Sequence, residues 1–181
     1  MNAFKSFAAG FGLLLVLGLV MGADDAKVTV TVSEMHVCCG ACIKAIEKAV
    51  AKVPGVEAKV EQESGEEGEG MATLTAANYE TIQKAIDEIA KAGFHGDLDS
   101  DKVKFAPIKT ADGNVKTLEI AYIHNCCKGC SKSINEALGE VKGLTTKTIE
   151  PKKSSFTLEG DFSPADVVKE LTEAGFYPTL K

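Results

Sequence analysis

Arginine and tryptophan are both absent from this chain of 181 residues, and aromatic residues make up only 6% of it. Without arginine, the bidentate contacts to phosphate and guanine that dominate nucleic-acid recognition are not available, so no nucleic-acid partner is expected. With so few rings, any core must rest on Val, Ile, Leu and Ala. Basic charge is carried by lysine alone and is outweighed, leaving a formal net charge of -6. Long hydrophobic runs are also lacking. The one candidate, Phe11–Met21, is about half the roughly 20 residues that a membrane span needs. Cysteine is missing everywhere except in two short blocks, which hold all six.

The start of the chain reads as a device separate from the rest. Lys5 precedes the apolar run, Gly22 and Ala23 follow it, and Asp24-Asp25 opens a polar stretch. That order predicts a secretory signal peptide over residues 1–23. The expectation is an exported protein, periplasmic or secreted, without stable membrane insertion after cleavage and in a compartment that permits disulfides.

Self-similarity decides the expected architecture. His36-Val37-Cys38-Cys39-Gly40-Ala41-Cys42 recurs as His124-Asn125-Cys126-Cys127-Lys128-Gly129-Cys130. Upstream of each block an alternating segment predicts a strand, Val28–Val32 and Leu118–Ile123. Downstream, Ile43, Ile46, Ala49 and Val50, like Ile134, Ala137, Leu138 and Val141, have helical spacing. Further strands are expected near 56–63 and 70–75, and near 144–150 and 155–159. A second helix through Ile82–Ile89 or Val167–Leu171 stops at Ala92-Gly93-Phe94 or Ala174-Gly175-Phe176, where glycine can form the left-handed cap. A short strand near 96–98 or 177–180 closes each copy. The fold class is therefore α+β, with two tandem ferredoxin-like βαββαβ domains at 24–98 and 116–181 and a linker at 99–115. The acidic stretch Glu61–Gly70, found only in the first copy, reads as a solvated hairpin loop or, alternatively, as a recognition surface for a partner.

Cysteines two residues apart at a loop-to-helix junction can aim both sulfurs at one centre. Cys39 with Cys42, and Cys127 with Cys130, have this spacing. The second of each pair falls in the first helical turn, whose dipole favours thiolate. Soft thiolates select Cu(I), Zn(II) or Hg(II), and two per copy suit a low-coordinate soft ion better than tetrahedral zinc. Cys38 and Cys126 offer a third ligand per copy, or a shared cluster. Alternatively, strand alternation turns each into the core as a small hydrophobe. His36 and His124 are either auxiliary ligands or surface imidazoles at strand ends. His95 is matched by Tyr177 in the second copy, which argues against a repeated metal role.

The βαββαβ order, the Cys-x-x-Cys between first strand and first helix, and the Gly-Phe after the second helix resemble the heavy-metal-associated domains. These occur in copper chaperones, copper-transporting ATPases and periplasmic mercury-binding proteins. The resemblance implies that Cys39 with Cys42, and Cys127 with Cys130, hold Cu(I) and pass it to a partner protein by ligand exchange. Three features depart from the family pattern: Val37 and Asn125 replace its loop methionine, and each copy has an added cysteine and an added histidine. A binding protein is expected, not an enzyme. The competing readings are a thiol–disulfide redox protein and a pair of domains closed by structural disulfides.

Overall fold

The computed structural model describes residues 27–63, 68–146 and 148–181. The expected signal peptide lies outside them, as does the middle of the acidic loop. The chain is α+β, with two antiparallel sheets and four helices among the described residues. No helix in that set is long and apolar enough to cross a membrane.

In the first half, β1 (Val28–His36), β2 (Glu57–Gln62), β3 (Glu69–Ala76) and β4 (Asp97–Leu98) form a sheet in the order β2-β3-β1-β4. Helices α1 (Gly40–Val50) and α2 (Tyr79–Lys91) complete the βαββαβ order. α1 buries Cys42, Ile46, Ala49 and Val50, one stripe at helical spacing. The Asn78 side chain caps α2 by accepting from the Thr81 backbone N–H.

β1 carries an irregularity that sets up the functional end. Its register against β3 shifts by one residue between Val32 and Met35, and Glu34 within that bulge has φ 55. Before the bulge Val30 and Val32 face the core; after it Met35 and Val37 do, all four fully buried. Cys38 is thereby turned out of the core and is only partly buried. The reading of Cys38 as a core hydrophobe assumed unbroken alternation, which the bulge interrupts.

The second half contains β5 (Val115–Tyr122), α3 (Lys128–Gly139), β6 (Phe156–Phe162), α4 (Pro164–Glu173) and β7 (Thr179–Leu180), with sheet order β6-β5-β7. Among the described residues, the strand expected near 144–150 does not form. One bridge joins Leu144 to Gly160, and the backbone N–H groups of Thr145 and Thr146 both donate to Glu159 O. Beyond that, side-chain amides take the backbone away from a ladder. Asn135 accepts from Ile149 N–H and donates to Ile149 O, while Asn125 donates to Glu150 O and Lys153 O. Pro151 has no N–H to offer.

Residues 99–115 are not a free tether. Val103 is buried, Gln83 bonds the Lys104 backbone at both N–H and carbonyl, and the Tyr177 hydroxyl donates to Ala106 O. The apolar core runs without a break through both halves.

Candidate metal centre

The halves meet through the two Ala-Gly-Phe segments. Phe94 and Phe176 form an antiparallel bridge, with His95 N–H donating to Gly175 O and Tyr177 N–H to Gly93 O, each at 3.0 Å. Both phenyl rings are fully buried. Phe94 packs on His124 of the second half at 4.2 Å between ring centroids, and Phe176 packs on His36 of the first at 4.5 Å. Only glycine fits at the two crossing points. Gly93 and Gly175 have φ 87 and 81. A Cβ would come within 2.4 Å of His124 N in the first case and 2.3 Å of His36 N in the second. The left-handed cap is legible in the sequence; this crossing contact, made only between the two copies, is not.

This docking brings the two cysteine loops tip to tip. In place of two separate sites, all six sulfurs form one cluster. Within the first half, Cys42 lies 3.7 Å from Cys38 and 3.9 Å from Cys39. Within the second, Cys130 lies 3.7 Å from Cys126 and 3.8 Å from Cys127. Five separations cross between halves: Cys38–Cys127 at 3.3 Å, Cys38–Cys130 at 3.6 Å, Cys42–Cys126 at 3.8 Å, and Cys39–Cys126 and Cys42–Cys130 at 3.9 Å. Cys38, Cys39 and Cys42 also lie mutually within 4.8 Å, as do Cys39, Cys126 and Cys127. Together these separations arrange the six sulfurs as a distorted octahedron. All six are free thiols.

The histidines belong to the same centre. His124 lies with Cys42, Cys126 and Cys130, and His36 with Cys38 and Cys130, each set having donor atoms within 4.8 Å of one another. Both imidazoles are buried, at 5% and 7% exposure for His36 and His124, and neither Nε2 has a hydrogen-bond partner. They are not surface imidazoles. A buried imidazole nitrogen without a partner is costly unless something else satisfies it. Asn125 is also buried and braces the loop through its two hydrogen bonds. His95 stands apart, packed on Phe105.

The thiols are electrostatically unlike. Burial and the Cys127 and Cys130 sulfurs push Cys38 up; burial and Cys130 do the same to Cys126. In the central pair, contact with Cys130 and burial hold Cys42 up, while the same contact, aided by His124 and His36, holds Cys130 below the usual thiol range. For Cys39, burial acts upward but is outweighed by the backbone N–H groups of Cys42 and Ala41 at the start of α1, bringing it to about 7. The expectation that the helix end would ionise Cys42 thus moves to Cys39, the N-cap residue. Cys42 sits deeper, among other sulfurs.

Two openings border this centre. A cleft of about 260 Å³ is lined by His36, Cys38, Gly68, Gly129 and Ser133. A wider groove of about 400 Å³ adjoins it, with Glu34, Glu69, Glu136, Glu140, Glu170 and Glu173 along its walls.

No family model matches the chain. A stretch of 45 residues is 33% identical to heavy metal-associated isoprenylated plant protein 27 of Arabidopsis thaliana, spanning 25% of this chain and 31% of that protein. The chain thus covers less than a third of that relative's length. Among solved structures, the N-terminal soluble domains of Bacillus subtilis CopA align over 86% of this chain and 94% of theirs, at 18% identity and a TM-score of 0.33.

Proposed function

We propose that this chain is an exported carrier or store of a soft metal ion, most favourably Cu(I), held by cysteine thiolates from both halves. The observation that carries the reading is the convergence of six reduced sulfurs and two unpartnered imidazole nitrogens on one point. Thiolate and imidazole donors without a carboxylate among them favour soft and borderline ions over Mg(II) or Ca(II). The partial match to a heavy-metal-associated plant protein is consistent with this chemistry.

The spacing bears on coordination number. With a metal–thiolate bond of about 2.3 Å, linear coordination sets the two sulfurs about 4.6 Å apart, trigonal about 4.0 Å and tetrahedral about 3.8 Å. The Cys39–Cys42 and Cys127–Cys130 separations of 3.9 and 3.8 Å suit three or four ligands, and further sulfurs from both halves lie at similar distances from each pair. Cys38, Cys39, Cys126 and Cys127 are partly exposed and Cys42 and Cys130 buried, so an ion would enter or pass to a partner protein through the first four.

A binding role without catalysis is proposed. The test is anaerobic titration of the reduced protein with Cu(I) against bicinchoninate, and with Zn(II) in parallel. Competitive Cu(I) uptake that is lost when Cys39, Cys42, Cys127 and Cys130 are replaced by serine supports the reading. Failure to compete for either ion rejects it and favours thiol–disulfide exchange, for which Cys38 and Cys127 are the closest sulfurs.

A further inference from the structure

The six sulfurs can be read as a polyhedron, and the polyhedron implies a number of ions. In a distorted octahedron of donors, four alternate triangular faces together use every corner twice. Such a set is present here: Cys38-Cys39-Cys42, Cys39-Cys126-Cys127, Cys42-Cys126-Cys130 and Cys38-Cys127-Cys130. Three of these faces mix sulfurs from the two halves, so no division into one site per half uses the donors this way. His124 lies beside the Cys42-Cys126-Cys130 face, and His36 beside Cys38 and Cys130, two corners of another.

Resting on the soft-metal reading, we infer that the two halves build one polynuclear cluster of four Cu(I) ions. Each ion is seated on a three-sulfur face, each thiolate bridges two ions, and His124 and His36 offer a fourth donor at two faces. The edges of these faces, where a distance is given, run from 3.3 to 3.9 Å, near the roughly 4.0 Å or 3.8 Å of three- or four-coordinate thiolate sites. Charge points to the same count. Six thiolates around one or two monovalent ions leave at least four uncompensated negative charges in a largely buried site, whereas four ions leave two. Loading changes no oxidation state: copper remains Cu(I), metal–sulfur bonds replace sulfur–hydrogen bonds, and the thiol protons go to solvent.

A cluster in which every thiolate bridges two ions should fill all-or-none, because a partly filled one leaves bridging thiolates with uncompensated charge in a largely buried site. A single conservative loss on one side then damages the whole centre. Gly129 supports this close approach: a Cβ there would stand 3.0 Å from Cys38 Sγ of the other half.

The experiment is native mass spectrometry of the reduced full chain at rising ratios of Cu(I), supplied anaerobically as the acetonitrile complex. The expected result at one or two equivalents is a mixture of the apo and four-copper masses, with little of the one- and two-copper forms. Cys38→Ser and Cys127→Ser, on opposite halves and only partly buried, should each abolish the four-copper species. Circular dichroism of each variant separates this from misfolding. Stepwise filling that saturates at one ion per half, with each variant losing a single ion, would overturn the shared cluster and leave the soft-metal reading standing. Saturation with two Zn(II) in preference to Cu(I) would also overturn it. Absence of uptake of either ion would overturn both.

Discussion

Replacing Gly175 by alanine tests the junction on which the centre depends. The residue has φ 81, a region that costs an L-residue roughly 1–2 kcal/mol. The added Cβ would also lie 2.3 Å from His36 N, 2.9 Å from Glu34 O and 3.0 Å from the Met35 carbonyl carbon, all backbone atoms of β1 that cannot swing aside. Relief requires the segment around Gly175 to draw back from β1 and, with it, from Gly93–His95. That forfeits the His95–Gly175 and Tyr177–Gly93 hydrogen bonds, worth about 1 kcal/mol each. The expected loss is therefore about 3 kcal/mol, read as a lower urea midpoint of the reduced apo-protein. Gly139→Ala is the control. Nothing lies within 4 Å of its Cβ position in α3, so it should be neutral or stabilise by up to about 1 kcal/mol. A Gly175→Ala loss below about 0.5 kcal/mol, or one equal to the control, would refute the reasoning that the glycines are required by contact between halves.

Three further outcomes follow from the same geometry. The Cys39 thiol lies below its ordinary value at about 7, so its alkylation by iodoacetamide in the apo-protein should rise with pH to a midpoint near 7. By the same sign, the stability this ionisation contributes is complete above the unfolded value near 9 and is lost as pH falls through 7. Peptide mapping that shows Cys38 or Cys126 reacting first would contradict the assignment. Asn125→Ala leaves the carbonyls of Glu150 and Lys153 without their side-chain donor and should cost about 1–3 kcal/mol, with hydrogen exchange rising in residues 148–153. Gly129→Ala should keep or raise apo stability through helix propensity yet weaken Cu(I) retention, since its methyl presses on Cys38 Sγ. Unchanged retention would remove Cys38 from the centre.

The elements were largely legible because their signals are local. Apolar stripes at helical spacing located α1 to α4, and alternation located the long strands. What escaped depends on interactions that leave no periodic trace. The stretch Thr145-Thr146-Lys147-Thr148-Ile149 has the β-branched composition of a strand, but the Asn135 side chain claims the Ile149 backbone and Asn125 the carbonyl of Glu150 just beyond it. Cys38 was ambiguous because a one-residue bulge at Glu34 resets which side chains face inward, and nothing in the local composition announces it. The eight candidate ligands were all visible as a repeat. That they form one centre instead of two depends on how Gly93-Phe94 and Gly175-Phe176 pack against each other, a contact between loops that each copy alone has no reason to display.

The most direct test of the account is X-ray absorption at the copper edge on the Cu(I)-loaded, reduced chain. A shared cluster predicts a first shell of about three sulfurs at roughly 2.3 Å, with a copper–copper distance below about 3 Å, since adjacent faces share a thiolate. Two sulfurs in a linear shell, with no neighbouring metal, would show that each Cys-x-x-Cys binds alone and would contradict the shared centre.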